Sequence, residues 1–120
     1  MDSNLKYDSL TDAEKVELIK SYPIQLYKGE ELIKLYYSAD NQKRLLVLKN
    51  ARNLYYYVTE ELIVFNEEQF VKFNEGFPDV LFGGYQQQDN GYGYSVFESA
   101  EHLLNEIKEQ LEFLTEQKLN

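Results

Sequence analysis

The first amphipathic pattern of the chain has apolar residues at the three- and four-residue intervals of a helix. Its apolar members are Ala13, Val16, Ile19 and Tyr22. Thr11 followed by Glu14 has the spacing of a capping box, and Pro23 prevents continuation of the helix. We therefore predict a helix over residues 11–21, after a polar lead-in over residues 1–10 that is expected to be mobile.

The middle of the chain alternates β-branched and aromatic runs with groups of turn-forming residues. The predicted strands are residues 32–37, 44–49 and 54–58. Turn formers at residues 39–42 and 50–53 separate these runs, which is typical of an antiparallel meander. A helical turn over residues 30–37 is the alternative for the first strand, because Glu and Lys tolerate both states.

A short strand over residues 62–65 is predicted next, followed by a brief helix. Asn66 has the character of an N-cap, with Gln69 at the third helical position. The residues expected to face inward are Phe70 and Phe73, and those expected to end the helix are Gly76 and Pro78.

A hairpin is predicted in the glycine-rich segment that follows. Asp89-Asn90-Gly91 is a strong turn signal, and apolar or aromatic residues flank it at 80–82 and 92–97. From Gly83 to Tyr94 the segment carries three tyrosines and four glycines. Tyrosine supplies contact area at low entropic cost and glycine lets the backbone adapt, so the segment suits protein recognition. A plain hairpin whose tyrosines cover the sheet is the alternative.

Ser99 opens the clearest helical pattern of the chain. Its apolar stripe consists of Ala100, Leu103, Leu104, Ile107, Leu111 and Leu114. The opposite side carries Glu101, Glu106, Glu109, Glu112 and Glu116. We predict one helix that packs its apolar face on the sheet and exposes an acidic face to water.

Together these patterns predict a single α+β domain over residues 1–120. Its antiparallel sheet is expected to have about four to six strands, packed by an N-terminal and a longer C-terminal helix. The composition, 43% hydrophobic and 28% charged, is that of a globular protein. The apolar runs are far shorter than the about 20 residues of a membrane span, and residues 1–6 lack the character of a secretory signal. We therefore expect a cytoplasmic protein.

Charge is distributed unevenly along the chain, whose formal net charge is −9. Residues 1–58 contain eight acidic and nine basic residues, whereas residues 59–120 contain thirteen acidic and three basic residues. This excess of acids opposes binding to nucleic acid or to an anionic membrane and favours a partner with a basic surface.

The residue types of the chain favour binding over catalysis. Cysteine is absent, and His102 is the one histidine, so a thiolate nucleophile, a Ser–His triad and a zinc site all lack their parts. No segment has the spacing of a calcium loop or a phosphate-binding loop, so we expect no metal and no cofactor. A carboxylate-dependent enzyme stays open as an alternative, with candidates Glu60, Glu61, Glu67, Glu68 and Glu98.

Tyrosines in the predicted strands offer a further alternative, stacking platforms for single-stranded bases. They are Tyr36, Tyr37, Tyr55, Tyr56 and Tyr57. Ordinary strand packing explains them better, because tyrosine is a favoured strand residue and successive side chains alternate faces.

The predicted partner-binding residues come from the segment between Gly83 and Tyr94 and from the acids of the second half. They are Tyr85, Asp89, Tyr92, Tyr94, Glu98, Glu101, Glu67 and Glu68.

The segment from Tyr94 to Leu104, in which a strand runs into an acidic helix, resembles small bacterial immunity proteins that neutralise toxins. The resemblance covers about the last third of the chain. It implies a cytoplasmic inhibitor that occludes the active site of a toxin and catalyses nothing itself. The alternatives are a phage-encoded inhibitor of a host nuclease, of the anti-CRISPR type, and a homo-oligomer such as a homodimer formed through an exposed sheet edge.

Overall fold

A computed structural model describes residues 7–75, 81–88 and 95–119 of the chain. The chain divides into two compact units. Unit 1 consists of Met1–Pro23 and Leu62–Tyr85, and unit 2 consists of Ile24–Glu61 and Gln86–Asn120. That the whole chain forms a single domain stays a prediction.

The described residues form an α+β fold with a five-stranded antiparallel sheet, as predicted. The strands lie in the order β4-β3-β2-β1-β5. In chain order the elements are a 3-10 turn at Tyr7–Ser9, α1 at Asp12–Lys20, β1 at Glu31–Ser38, β2 at Lys43–Lys49, β3 at Tyr55–Val64, α2 at Glu67–Asn74, β4 at Gly83–Gln87, α3 at Ala100–Glu106, α4 at Lys108–Leu111 and β5 at Leu114–Gln117.

The central strands of unit 2 form the predicted meander, and the first of them is a strand along its whole length. β1 pairs antiparallel with β2, and β2 pairs antiparallel with β3. Asn41 and Asn53 adopt positive φ angles of 62° and 64° in the two connecting turns, a conformation that asparagine tolerates better than most residues. Helices α3 and α4 cover one side of this sheet. The buried residues of the resulting core are Tyr36, Leu45, Val47, Leu103 and Ile107.

The start of α1 confirms the predicted capping box. The Glu14 N–H donates to Thr11 Oγ1 at 3.1 Å, and the Thr11 N–H donates to Glu14 Oε1 at 2.8 Å. The backbone hydrogen bond from Thr11 lowers the pKa of Glu14 because it stabilises the carboxylate. The predicted mobile lead-in is wrong for residues 7–10, because residues 7–9 form a turn of 3-10 helix and Tyr7 and Leu10 pack on the core of unit 1. Its other residues, 1–6, lie outside the described residues.

That core of unit 1 is built from α1, the end of β3, α2 and the start of β4. Its buried residues are Ile19, Leu62, Phe70 and Phe82. Lys15 is also buried, at 3% exposure, with its Nζ 3.7 Å from the centre of the Tyr7 ring. This position places the ammonium over an aromatic face, where the ring quadrupole attracts a cation.

The second helix confirms its predicted cap and corrects one core residue. Asn66 caps α2, with its Oδ1 accepting from the Gln69 N–H at 2.8 Å. Phe70 is buried as predicted, but Phe73 is 49% exposed. Phe73 stacks on Phe65 with ring centres 4.9 Å apart, because it lies beside the buried stripe of this helix. Of the predicted helix-ending residues, Gly76 and Pro78 lie outside the described residues.

Residues 62–65 do not form a separate strand, because β3 continues without a break from Tyr55 to Val64. The prediction of two strands, 54–58 and 62–65, was wrong because the polar residues between them, 59–61, are part of β3. In the sheet, Glu60 lies opposite Arg44 and Glu61 lies opposite Lys43. Opposite charges at directly paired positions stabilise an antiparallel ladder, so the acids are compatible with a continuous strand.

The predicted hairpin is wrong in its described part. The first strand of this segment, β4, lies at Gly83–Gln87 and not at the predicted residues 80–82, and it is the neighbour of β3 in the sheet. The Gln88 N–H donates to the Thr59 carbonyl at 2.9 Å, and Phe97 forms an antiparallel bridge with Tyr55. Residues on both sides of the predicted turn therefore form hydrogen bonds with the edge of β3. The predicted turn at 89–91 lies outside the described residues.

The final helix is shorter than predicted and gives way to a strand. The helical pattern is interrupted at Ile107, and after Leu111 the chain turns to form β5. β5 pairs antiparallel with β1, with Leu114 opposite Ser38 and Gln117 opposite Leu35. Leu114 was predicted to pack on the sheet as part of the helix. It does pack against the core of unit 2, but as a residue of β5.

Gly83 provides a stability prediction for unit 1. A Cβ at this position would lie 2.0 Å from the Ile63 carbonyl oxygen and 2.9 Å from Ile19 Cδ1, and the φ of +154° also disfavours a side chain. We expect Gly83→Ala to lower the free energy of unfolding by about 2 to 4 kcal/mol. Urea denaturation measures the loss. The matched control is Gly84→Ala, where the added Cβ meets nothing within 4 Å. An equal loss in both variants would contradict the steric explanation.

Lys15 and Tyr7 provide a second prediction. A double-mutant cycle with Lys15→Met and Tyr7→Leu should give a favourable coupling of about 1 to 2 kcal/mol in the free energy of unfolding, because a desolvated ammonium lies over the ring. A second cycle, in which Phe82 and not Tyr7 is changed to Leu, should give a weaker coupling to Lys15, since the centre of the Phe82 ring lies 5.9 Å from Lys15 Nζ. A coupling near zero for the first pair would show that the contact is only packing.

Candidate protein-binding surface

The predicted partner-binding residues fall on both units. In unit 1, Glu67 and Glu68 are exposed in the first turn of α2, and Tyr85 is half-buried on β4 against the core of that unit. In unit 2, Glu98 and Glu101 are exposed at the start of α3. The remaining three, Asp89, Tyr92 and Tyr94, lie outside the described residues.

Several of these glutamates have a structural reason for their position. Glu67, Glu68 and Glu101 lie in the first turns of α2 and α3. The free N–H groups of a first turn give it a partial positive charge, which favours a carboxylate. Ser99 is the N-cap of α3, and its Oγ accepts a hydrogen bond from the His102 N–H at 3.1 Å. A position at a helix start is therefore not, alone, a sign of binding.

A larger group of acids follows the helical segment of unit 2. We call it the acidic helical surface, and its members are Glu98, Glu101, Glu106, Glu109 and Glu112. All five side chains are exposed, and Lys108 is the basic residue among them. Leu103 and Ile107 on the same segment are buried in the core, which fixes the helix with its acidic side outward.

Bases of the first half of the chain neutralise some acids of the second half. Arg44 forms an ion pair with Glu60, and both side chains are largely buried. Lys34 Nζ lies 3.0 Å from Glu116 Oε2, and this hydrogen bond raises the pKa of Lys34. Both acids lie outside the acidic helical surface.

Most acids of the acidic helical surface have no basic side chain paired with them in the described residues. Glu106 contacts the Nε2 of His102 at 3.5 Å. Across residues 7–75, 81–88 and 95–119, the other four members take part in no ion pair. The surface therefore presents uncompensated negative charge in the described part of unit 2.

An exposed aromatic residue lies at the end of this surface. Phe113 is 80% exposed, although Leu111 and Leu114 on either side of it pack against the core. The sequence interpretation missed Phe113. Its signal was present, because Phe113 falls outside the apolar stripe, between Glu112 and the residues of β5. A large apolar side chain outside the stripe of an amphipathic segment is expected to face water.

His102 lies in the first turn of α3 and is exposed. Its ring meets the Phe97 ring edge-on, with ring centres 5.1 Å apart.

Within the described ranges, no three His, Asp or Glu side chains are grouped so that they could hold a metal ion. Tyr36 and Tyr37, two of the candidate stacking residues, are buried, which agrees with strand packing.

No helix found in the described residues combines the length and apolar character needed to span a bilayer.

No protein-family model, curated protein or solved structure matches the chain.

Proposed function

We propose that this chain is a non-catalytic inhibitor that binds another protein through the acidic helical surface, as immunity proteins bind toxins. The observation that carries the proposal is the group of five exposed glutamates on α3, α4 and their flanks, held outward by the buried Leu103 and Ile107. A partner with a basic face would meet a complementary field at this surface.

A nucleic-acid-cleaving toxin is the partner class that fits this charge best. Enzymes that bind nucleic acid need basic clefts to contact the phosphate backbone. Carboxylates spaced along a helix can occupy such a cleft in place of phosphates and thereby exclude the substrate. Complementary fields also accelerate association, which matters when an inhibitor must bind its target before the target acts.

The acidity makes the chain itself a poor binder of nucleic acid. Its net charge of −9 repels a phosphate backbone. Two of the strand tyrosines that were candidates for base stacking are buried. A carboxylate-dependent enzyme has less support, since one of its candidates, Glu60, is held by Arg44.

The proposal predicts that neutralising the acidic helical surface slows binding. The natural test partner is the product of the gene adjacent to the one that encodes this chain. The triple variant Glu101→Gln, Glu109→Gln and Glu112→Gln should lower the association rate constant at low salt by about tenfold or more, because the complementary charge is lost. Stopped-flow or surface plasmon resonance measurements at two salt concentrations would give both the rate constant and its salt dependence.

A second triple variant serves as the matched control. It replaces exposed acids elsewhere by glutamine at Glu17, Glu61 and Glu75, and thus changes the net charge by the same amount. If the acidic helical surface is the binding site, the control should keep most of the association rate. An equal decrease in both variants would attribute binding to overall charge and contradict a specific surface, and a partner whose binding neither variant alters would contradict the proposal.

A further inference from the structure

Phe113 is an aromatic residue of unit 2 that combines high exposure with a backbone held on both sides. It is 80% exposed, and it lies between α4 and β5. An exposed phenylalanine does not gain the stabilisation that burial of its ring would give in the free protein, and its ring is accessible to a partner.

The backbone around Phe113 is fixed from both sides. Before it, Leu111 packs on the core and its N–H donates to the Ile107 carbonyl at 3.1 Å. After it, Leu114 packs on the same core and pairs with Ser38 in the sheet. A side chain presented by a fixed backbone loses little further freedom on binding, which is a property of residues that dominate binding energy.

The charges next to Phe113 are negative. Glu109 precedes it by four residues and Glu112 is adjacent in sequence, and both are exposed members of the acidic helical surface. Glu116 follows on β5 but is paired with Lys34. An apolar ring with charged neighbours has the arrangement of an interface anchor, in which a central aromatic is surrounded by polar groups that exclude water.

We infer that Phe113 is the anchor of the acidic helical surface, and that its partner is a protein with an apolar pocket bordered by lysine or arginine side chains. This inference rests on the proposed function and deepens it. The glutamates would meet the cationic border of the pocket while the ring enters the pocket itself. The charges then govern the association rate, and the ring governs how long the complex lasts.

Charge complementarity favours this occupant over a second copy of the chain. A two-fold dimer places the same surface of both copies face to face. Contact through Phe113 would therefore bring two copies of the acidic helical surface, including Glu109 and Glu112, close together, and like charges across an interface are unfavourable. An anionic membrane is disfavoured for the same reason.

Two synthetic peptides test the inference without requiring the natural partner. One consists of four Arg-Leu repeats and the other of four Arg-Ser repeats, so they share their charge and differ in apolar side chains. The wild-type protein should bind the Arg-Leu peptide about tenfold more tightly, because only this peptide can cover the ring. Phe113→Ala should remove that preference and leave the affinity for the Arg-Ser peptide unchanged, and Phe113→Leu should retain part of it.

Tyr27 is the matched control. Its side chain is 83% exposed, and its carbonyl accepts from the Glu30 N–H at 2.9 Å in a turn of the same unit. Tyr27→Ala removes an equally exposed ring that belongs to neither α3 nor α4, and should keep the preference for the Arg-Leu peptide. A preference that survives Phe113→Ala, or that is lost in Tyr27→Ala, would overturn the inference. So would concentration-dependent dimerisation in sedimentation experiments that Phe113→Ala abolishes.

The two proposals fail in different measurements. If the triple charge variant slows binding of the natural partner but Phe113→Ala changes neither its dissociation rate nor the peptide preference, only the anchor is wrong. If the natural partner binds independently of the acidic helical surface, the proposed function is wrong, whatever the peptides show.

Discussion

The open edge of β1 is the constraint on which the candidate surface of unit 2 depends. β1 has β2 on one side, and its other edge would leave N–H and C=O groups unpaired beside the core. β5 pairs with four residues of that edge, from Leu35 to Ser38. To reach this position the chain must leave its helical path after α4. The pairing of one strand edge thus decides where the helices end and where the turn that carries Phe113 lies.

The same constraint explains how the acidic and apolar residues of this segment separate. Leu103 and Ile107 are directed into the core by the helical period, and Leu114 is directed there by strand alternation. The residues between the helix and the strand cannot satisfy both periods. Phe113 falls at this change of period and faces water, next to Glu112. The exposed aromatic beside the acids therefore lies at the junction of two elements, and it gives the surface an apolar point.

Local signals in the sequence were sufficient for much of the fold. The capping boxes that begin at Thr11 and Asn66 and the three strands of the meander depend on neighbouring residues, and the structure confirms them. The errors concern pairing between distant segments. The break after α4 could not be read from residues 99–116, because their apolar spacing suits a helix and the competing partner is β1, far away in sequence. For the same reason Phe97, expected in a hairpin, pairs with Tyr55 instead.

The candidate surface was predictable to a similar degree. The concentration of acids after residue 58 is a property of composition, and the exposure of Glu98 and Glu101 follows from their places at the start of a helix. Which acids lie beside a paired base depends on tertiary neighbours: Glu60 and Glu116 are paired with bases of the first half, whereas Glu109 and Glu112 are exposed and form no ion pair among the described residues. Charge alone would attract many basic proteins with similar strength, because it acts at a distance and has little directional preference. A single fixed aromatic among those charges adds the short-range shape requirement that can distinguish one basic partner from another.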